Sequence, residues 1–246
     1  MDRLLYIAMN GAKHSMLQQA VTSQNLANVS TTAYKAQSHA FRAVPVVGQG
    51  TPTRTFVVDS TPRADLSAGG VRNTGRPLDV AVNGSGWIAI QDGAGQEAYT
   101  RNGSLQIGGN GLLVTSNGLP VMGDGGPITI PEDSEVSIGK DGTVTIVTNN
   151  QFNAMTAIAR IKLVNPADND MVRGDDGLFR QASGQPAVAD AAVTLTSSAL
   201  ESSNVNSVTA LINIIDQSRF FDMQVKLMQK ADENANRAVQ VMALTA

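Results

Sequence analysis

The last forty residues, Ser207 to Ala246, contain neither glycine nor proline. No other feature of the chain limits its fold so tightly. A 3,4 spacing runs through Leu211, Ile214, Ser218, Phe221, Val225, Met228, Asp232, Ala235, Val239 and Met242, and eight of these ten are apolar. That is a heptad seam sustained beyond four heptads. At 1.5 Å per residue the helix is roughly 55 Å long. Asn206 or Ser207 stands where a side chain caps the start. A stripe of this length needs a partner helix, because a compact domain of the size left to the chain cannot cover it.

The partner within the chain lies at the other end. Residues 3–27 lack proline and hold one glycine, Gly11. Leu5, Ala8, Ala12, Ser15, Gln19, Thr22 and Leu26 repeat the 3,4 spacing with small or polar side chains. Alone in water such a helix is marginal. Between the helices the punctuation changes. Pro45, Gly48, Gly50, Pro52, Pro62, Gly69, Gly70 and Gly75 mark an extended connector that orders only against a neighbour. From residue 76 to 180 apolar alternation recurs, as in Leu78–Val82, Trp87–Ile90 and Thr143–Val147. Asn83-Gly84, Asp92-Gly93, Asn102-Gly103, Asn110-Gly111, Asn117-Gly118, Asp124-Gly125 and Asp141-Gly142 separate the runs. Such pairs supply tight hairpin turns, and strands at this spacing make a sandwich or small barrel.

The expected class is therefore α+β: a discontinuous, coiled-coil-like helical domain from both termini around an all-β middle domain. Its parts are an N-terminal helix in 1–35, a connector in 36–75, a β-rich domain in 76–180, a return connector in 181–205 and a C-terminal helix in 206–246. Surplus apolar surface on the paired helices points to assembly with other subunits, chiefly through Leu5, Ala8, Ala12, Leu211, Ile214, Phe221, Val225, Met228 and Val239.

Catalytic, metal and cofactor sites are not indicated. The chain has no cysteine, which removes thiolate nucleophiles and cysteine-based metal sites. Its two histidines, His14 and His39, lie on or just past the first helix, away from the β region. Asp168-Asn169-Asp170 with Asp175-Asp176-Gly177 departs from a calcium loop, because Val172 and Gly174 stand where oxygen ligands are needed. Gly84-Ser85-Gly86 falls in a turn and lacks the full nucleophile elbow. The net charge is −3 with Lys and Arg scattered, so no stripe suits nucleic acid. No run of about 18 apolar residues spans a membrane. The short apolar start, broken by Asn10, Lys13 and His14, reads as mature protein rather than as a cleaved signal peptide.

Two segments carry a specific resemblance. Asn25-Leu26-Ala27-Asn28-Val29-Ser30-Thr31-Thr32-Ala33-Tyr34-Lys35 resembles the N-terminal signature of flagellar rod and hook proteins. Leu200-Glu201-Ser202-Ser203-Asn204-Val205-Asn206 is similar to their C-terminal signature. Between them, Thr74 to Gly84, Tyr99 to Gly103 and Leu113 to Gly118 resemble the family's β domain in the same order. Two departures stand out. Ala33 replaces a glycine common before the aromatic-Lys pair, so the local turn is expected to differ. Val208 and Thr209 stand where an acidic residue and Met often follow the second signature, which leaves the start of the last helix open.

The resemblance implies a structural, non-enzymatic subunit of the flagellar basal-body rod, the drive shaft that crosses the periplasm. The opening Met1-Asp2-Arg3-Leu4-Leu5-Tyr6 and the chain length are similar to the proximal-rod form, with the distal-rod form as alternative. The implied partners are copies of itself and other rod proteins, the inner-membrane ring and rod base, the distal rod, and the type III export apparatus during export. Nucleic acid and a direct membrane span are not implied. Asn25, Asn28, Thr31, Tyr34, Lys35, Asn204 and Asn206 are expected to fix the helix–loop junctions by side-chain hydrogen bonds. A reading of another class is a secreted cell-wall-binding module, with residues 76–180 recognising a glycan. A third is a hydrolase using Asp168, Asp170 or Asp175.

Overall fold

The structure is a computed structural model that describes residues 2–45, 55–131, 134–148 and 155–243. The chain forms two compact units. Unit 1 comprises Met1–Asn28, Gln37–Asp65 and Val205–Ala246. Unit 2 comprises Val29–Ala36 and Leu66–Asn204.

Unit 1 is built on two helices, α1 (Asp2–Ala27) and α2 (Ser207–Ala243). The start of α2 is fixed by its cap: the Thr209 N–H donates to Asn206 Oδ1 at 3.0 Å. Ser15 Oγ donates to the Gln217 carbonyl at 2.7 Å, while Gly11 faces the Gln224 side chain. Partner numbers fall as α1 numbers rise, so the helices run antiparallel. The stretch expected as a connector holds a strand pair instead. Gln37–Pro45 pairs antiparallel with Thr55–Ala64, with a register shift between Ser38 and Ala40. β-branched and aromatic residues in both runs outweigh the flanking prolines, and α1 supplies the surface on which the pair orders. Gly48, Gly50 and Pro52 lie outside the described residues.

Among its described residues, unit 2 is all-β apart from one 3₁₀ turn at Asp168–Asp170. A five-stranded antiparallel sheet has the order Leu163–Val164, Trp87–Gln91, Glu97–Thr100, Phe179–Gln181, Met171–Arg173. A second sheet joins Ser134–Ile138, Thr143–Thr148 and Met155–Arg160. Short two-stranded ladders complete the unit in place of two broad sandwich sheets, because a turn every ten residues or so keeps strands short. Single bridges such as Ile90 to Val121 and Gly123 to Ile161 knit them together. The core is aliphatic, with Val80, Ile88, Ile90, Leu105, Val144 and Leu195 fully buried.

The return stretch also differs from a connector. Thr194–Ser197 pairs with Val80–Asn83, and Ala199–Glu201 pairs with Val71–Asn73. The last residues of unit 2 thus close on its first strands.

Asn102-Gly103 is not a hairpin turn. The Val80 N–H donates to the Gly103 carbonyl at 2.9 Å, and a Cβ on Gly103 would lie 1.7 Å from the Val80 carbonyl oxygen. Glycine is required there by backbone approach. Gly103→Ala is expected to destabilise unit 2 by about 1–3 kcal/mol, as overpacking does. Gly109→Ala, where the added methyl meets open space, serves as control. Urea unfolding followed by the fluorescence of the single tryptophan, Trp87, measures both.

Candidate functional site

In unit 1, the helix–helix seam differs from the apolar reading by half. The inward positions of α2 are Ala210, Ile214, Gln217, Phe221, Gln224, Met228, Ala231, Ala235 and Ala238, all buried or half-buried. They repeat at 4,3 spacing. One column, with Ile214, Phe221 and Met228, coincides with the sequence expectation. The other is displaced by one residue, so Gln217 and Gln224 face α1 where Ser218 and Val225 were expected. Leu211 and Val239 are 51% and 65% exposed, and Val225 is half-buried. On α1, Ala8 and Ala12 are buried and Leu5 is 38% exposed. Met242 has a side chain outside the described residues.

The displacement has a physical cause. The seam of α1 is made of Ala8, Gly11, Ala12 and Ser15, which admits small side chains and glutamines that hydrogen-bond. Gln217 Nε2 donates to Thr22 Oγ1 at 3.1 Å, and its carbonyl accepts Ser15 Oγ. Larger aliphatic residues are left outward. Val208, Leu211, Ile212 and Ile215 are 64%, 51%, 54% and 51% exposed. Their i, i+3, i+4, i+7 spacing forms a second apolar face.

The strand pair of unit 1 is tied to α1 by polar side chains. Asn10 Nδ2 donates to the Val57 carbonyl at 3.2 Å, and His14 Nε2 lies 2.8 Å from the same oxygen. The His14 ring meets Phe41 edge-on at 5.3 Å, and His39 stacks on Phe41 at 6.3 Å. Asn25 brackets Gln37, donating to its carbonyl at 2.8 Å and accepting its N–H at 2.9 Å. Asn28 Nδ2 donates back to the Gln24 carbonyl at 2.9 Å. Among the other signature residues, Leu26 and Val205 are half-buried, and Ala27 is exposed.

In unit 2, the two signatures meet in a buried ion cluster. Lys35 Nζ lies 2.7 Å from Glu201 Oε1, with both side chains 1% exposed. The same ammonium donates to the Ser67 carbonyl at 2.7 Å. The Gly69 N–H donates to Glu201 Oε1 at 2.8 Å, and Arg101 Nη1 to Glu201 Oε2 at 3.2 Å. The Arg101 guanidinium lies 5.4 Å above the Trp87 ring, which contacts Phe179 at 4.5 Å. A Cβ on Gly69 would fall 1.9 Å from the Ser202 carbonyl, so only glycine brings its N–H to the carboxylate.

Around the cluster, Ala36 N–H donates to Asn204 Oδ1 at 2.8 Å, and Asn204 Nδ2 reaches the Ser67 carbonyl at 3.2 Å. The Asn204 N–H donates to the Tyr34 carbonyl, and the Ala33 N–H to the Glu201 carbonyl. Arg173 lies 5.0 Å over the Tyr34 ring. The Thr31 carbonyl accepts the Tyr34 N–H, Ser30 is exposed, and Leu200 and Ser203 are half-buried. Arg101 is the member that sequence reasoning passed over, although it stands in the Tyr99–Gly103 motif. Ala33 has φ 56°, so the left-handed turn that glycine would favour is kept at a cost in strain.

The carboxylate takes three donors and is shielded from water. Glu201→Gln is expected to lose about 3–5 kcal/mol, since it removes the charged acceptor of a buried ion cluster. Ala33→Gly is expected to gain about 1 kcal/mol by relieving the left-handed strain. Chemical denaturation of the full chain reads both.

The sequence matches three family models. Residues 5–35 match "flagella basal body rod protein", residues 81–146 "flagellar hook protein FlgE/F/G D1 domain", and residues 196–241 "flagellar basal body rod FlgEFG protein C-terminal". It is 44% identical over 252 residues to the flagellar basal-body rod protein FlgF of Escherichia coli (strain K12), covering 100% of both chains. Identity to FlgF of Salmonella typhimurium is also 44%, again over 100% of both chains. Against the flagellar basal-body rod protein FlgG of Buchnera aphidicola subsp. Acyrthosiphon pisum it is 28%, over 96% of this chain and 98% of that one. With both signatures, the terminal helices and full-length identity in agreement, the chain belongs to the flagellar basal-body rod protein family.

Proposed function

We propose that the chain is a structural subunit of the proximal part of the flagellar basal-body rod, and that its work is mechanical rather than catalytic. The identity of 44% to FlgF proteins, against 28% to a FlgG protein, favours the proximal over the distal segment. The observation that carries the mechanical reading is the second apolar face of α2. Val208, Leu211, Ile212 and Ile215 stay exposed after α1 has covered the seam. Tyr6, Ile7, Met9 and Met16 on α1 are exposed as well. A helix pair apolar on its outer surface buries that surface against further helices.

The partners are copies of this chain and other rod proteins, with the inner-membrane ring and rod base on one side and the distal rod on the other. The type III export apparatus is the partner during export. Leu5, Leu211 and Val239 act at contacts between subunits. Ala8, Ala12, Ile214, Phe221 and Met228 hold the helix pair within the subunit, and Val225 lies at the margin of the two sets. No helix among the described residues is long and apolar enough to cross a membrane.

Cells carrying the chain truncated after Ser207 are expected to leave rods incomplete and not to swim. Ile212→Asp with Ile215→Asp is expected to give the same defect while changing monomer stability by no more than about 0.5 kcal/mol, as at exposed sites generally. Normal swimming by either strain would remove α2 from assembly.

A further inference from the structure

The chain passes between the two units four times, after Asn28, Ala36, Asp65 and Asn204. Within unit 2, the segments beside all four passages are bound to one another at the ion cluster. Lys35 joins Ser67 to Glu201, Gly69 joins Glu201, and Asn204 joins Ala36 to Ser67. Ala33 and Tyr34 are hydrogen-bonded by backbone to Glu201 and Asn204.

We propose that the Lys35–Glu201–Arg101 cluster is a mechanical clamp, which takes force entering unit 2 along any passage and spreads it into the β core. This rests on the reading of the chain as a rod subunit. Three features support it. The clamp crosslinks segments far apart in sequence, Lys35 and Glu201 being 166 positions apart. Its bonds are charge-assisted and shielded from water, so water does not compete for the partners as they are strained. Arg101 anchors it to the core through Trp87, which is 2% exposed, and through the Trp87–Phe179 contact. The adjoining strand Ala199–Glu201 is only three residues long, and so is its partner Val71–Asn73. Without the clamp, force along the chain from Asn204 reaches this short ladder first.

The chain has no native cysteine, so introduced pairs give unique handles for optical tweezers. Ser30→Cys with Ser207→Cys in the full chain loads the cluster through its passages. Asn117→Cys with Ser183→Cys loads unit 2 from exposed turns elsewhere. Glu201→Gln and Lys35→Met are compared with the parent in both geometries; Lys35→Met keeps the Arg101–Glu201 pair and guards against failure of the first variant to fold. The expected result is an acceleration of unfolding at equal load about tenfold larger in the Ser30/Ser207 geometry than in the Asn117/Ser183 geometry. Equal acceleration in both geometries, or none in the first, overturns the clamp. Rod completion by the α2 variants is read separately, so loss of the clamp and loss of the rod reading are distinguishable.

Discussion

A carboxylate removed from water costs several kcal/mol unless its geometry returns that energy in full. Glu201 is 1% exposed, and everything near it is arranged to satisfy that demand. One oxygen takes the Lys35 ammonium and the Gly69 N–H, and the other takes Arg101. The donors come from separate stretches of sequence, and each is held by a further constraint. Gly69 is fixed by its approach to Ser202, Lys35 by the Ser67 carbonyl, and Arg101 by the Trp87 face. Such a cluster is a poor source of net stability, since apolar replacements of similar volume often do as well. What it does supply is register, since a single carboxylate takes donors from three separate stretches of the chain.

The helix pair follows the opposite logic. Its inner seam is alanine, glycine, serine and glutamine with a few larger residues, so the area it removes from water is modest. Hydrogen bonds such as Ser15 to Gln217 set the register where apolar bulk does not. Val208, Leu211, Ile212 and Ile215 of α2 stay on the outside. The pair thus keeps a small-sided, hydrogen-bonded seam inside and leaves apolar side chains such as Leu211, Ile212 and Ile215 exposed.

This division explains what was legible in the sequence. The existence of both helices was, because a 3,4 pattern free of proline and with at most one glycine has few other solutions. The choice of inward column was not. Reading by apolarity selects Leu211, Val225 and Val239, whereas packing against a small-sided partner selects Ala210, Gln224 and Ala238. The strand runs at Val80, Trp87 and Thr143 were legible from alternation. The pairing of Val71–Asn73 with Ala199–Glu201 was not, since three-residue strands carry no period and the partners lie far apart. Lys35 and Glu201 stood out through the signatures they belong to, yet nothing local to either residue indicates burial or names Arg101 as the third member.

The abundance of asparagine at the junctions has its own reason. Where the chain leaves regular structure, backbone N–H and C=O groups lose their repeating partners and need substitutes. An amide side chain alone offers a donor and an acceptor in one short plane. Asn25 uses both on Gln37, and Asn204 accepts from Ala36 while donating to Ser67. Aspartate would satisfy the N–H groups and leave the carbonyls facing a negative charge. Serine is too short to span from one chain segment to the next. The asparagines of the two signatures are therefore backbone substitutes, placed where two helices and four chain passages interrupt the hydrogen-bond ladders that the rest of the fold relies on.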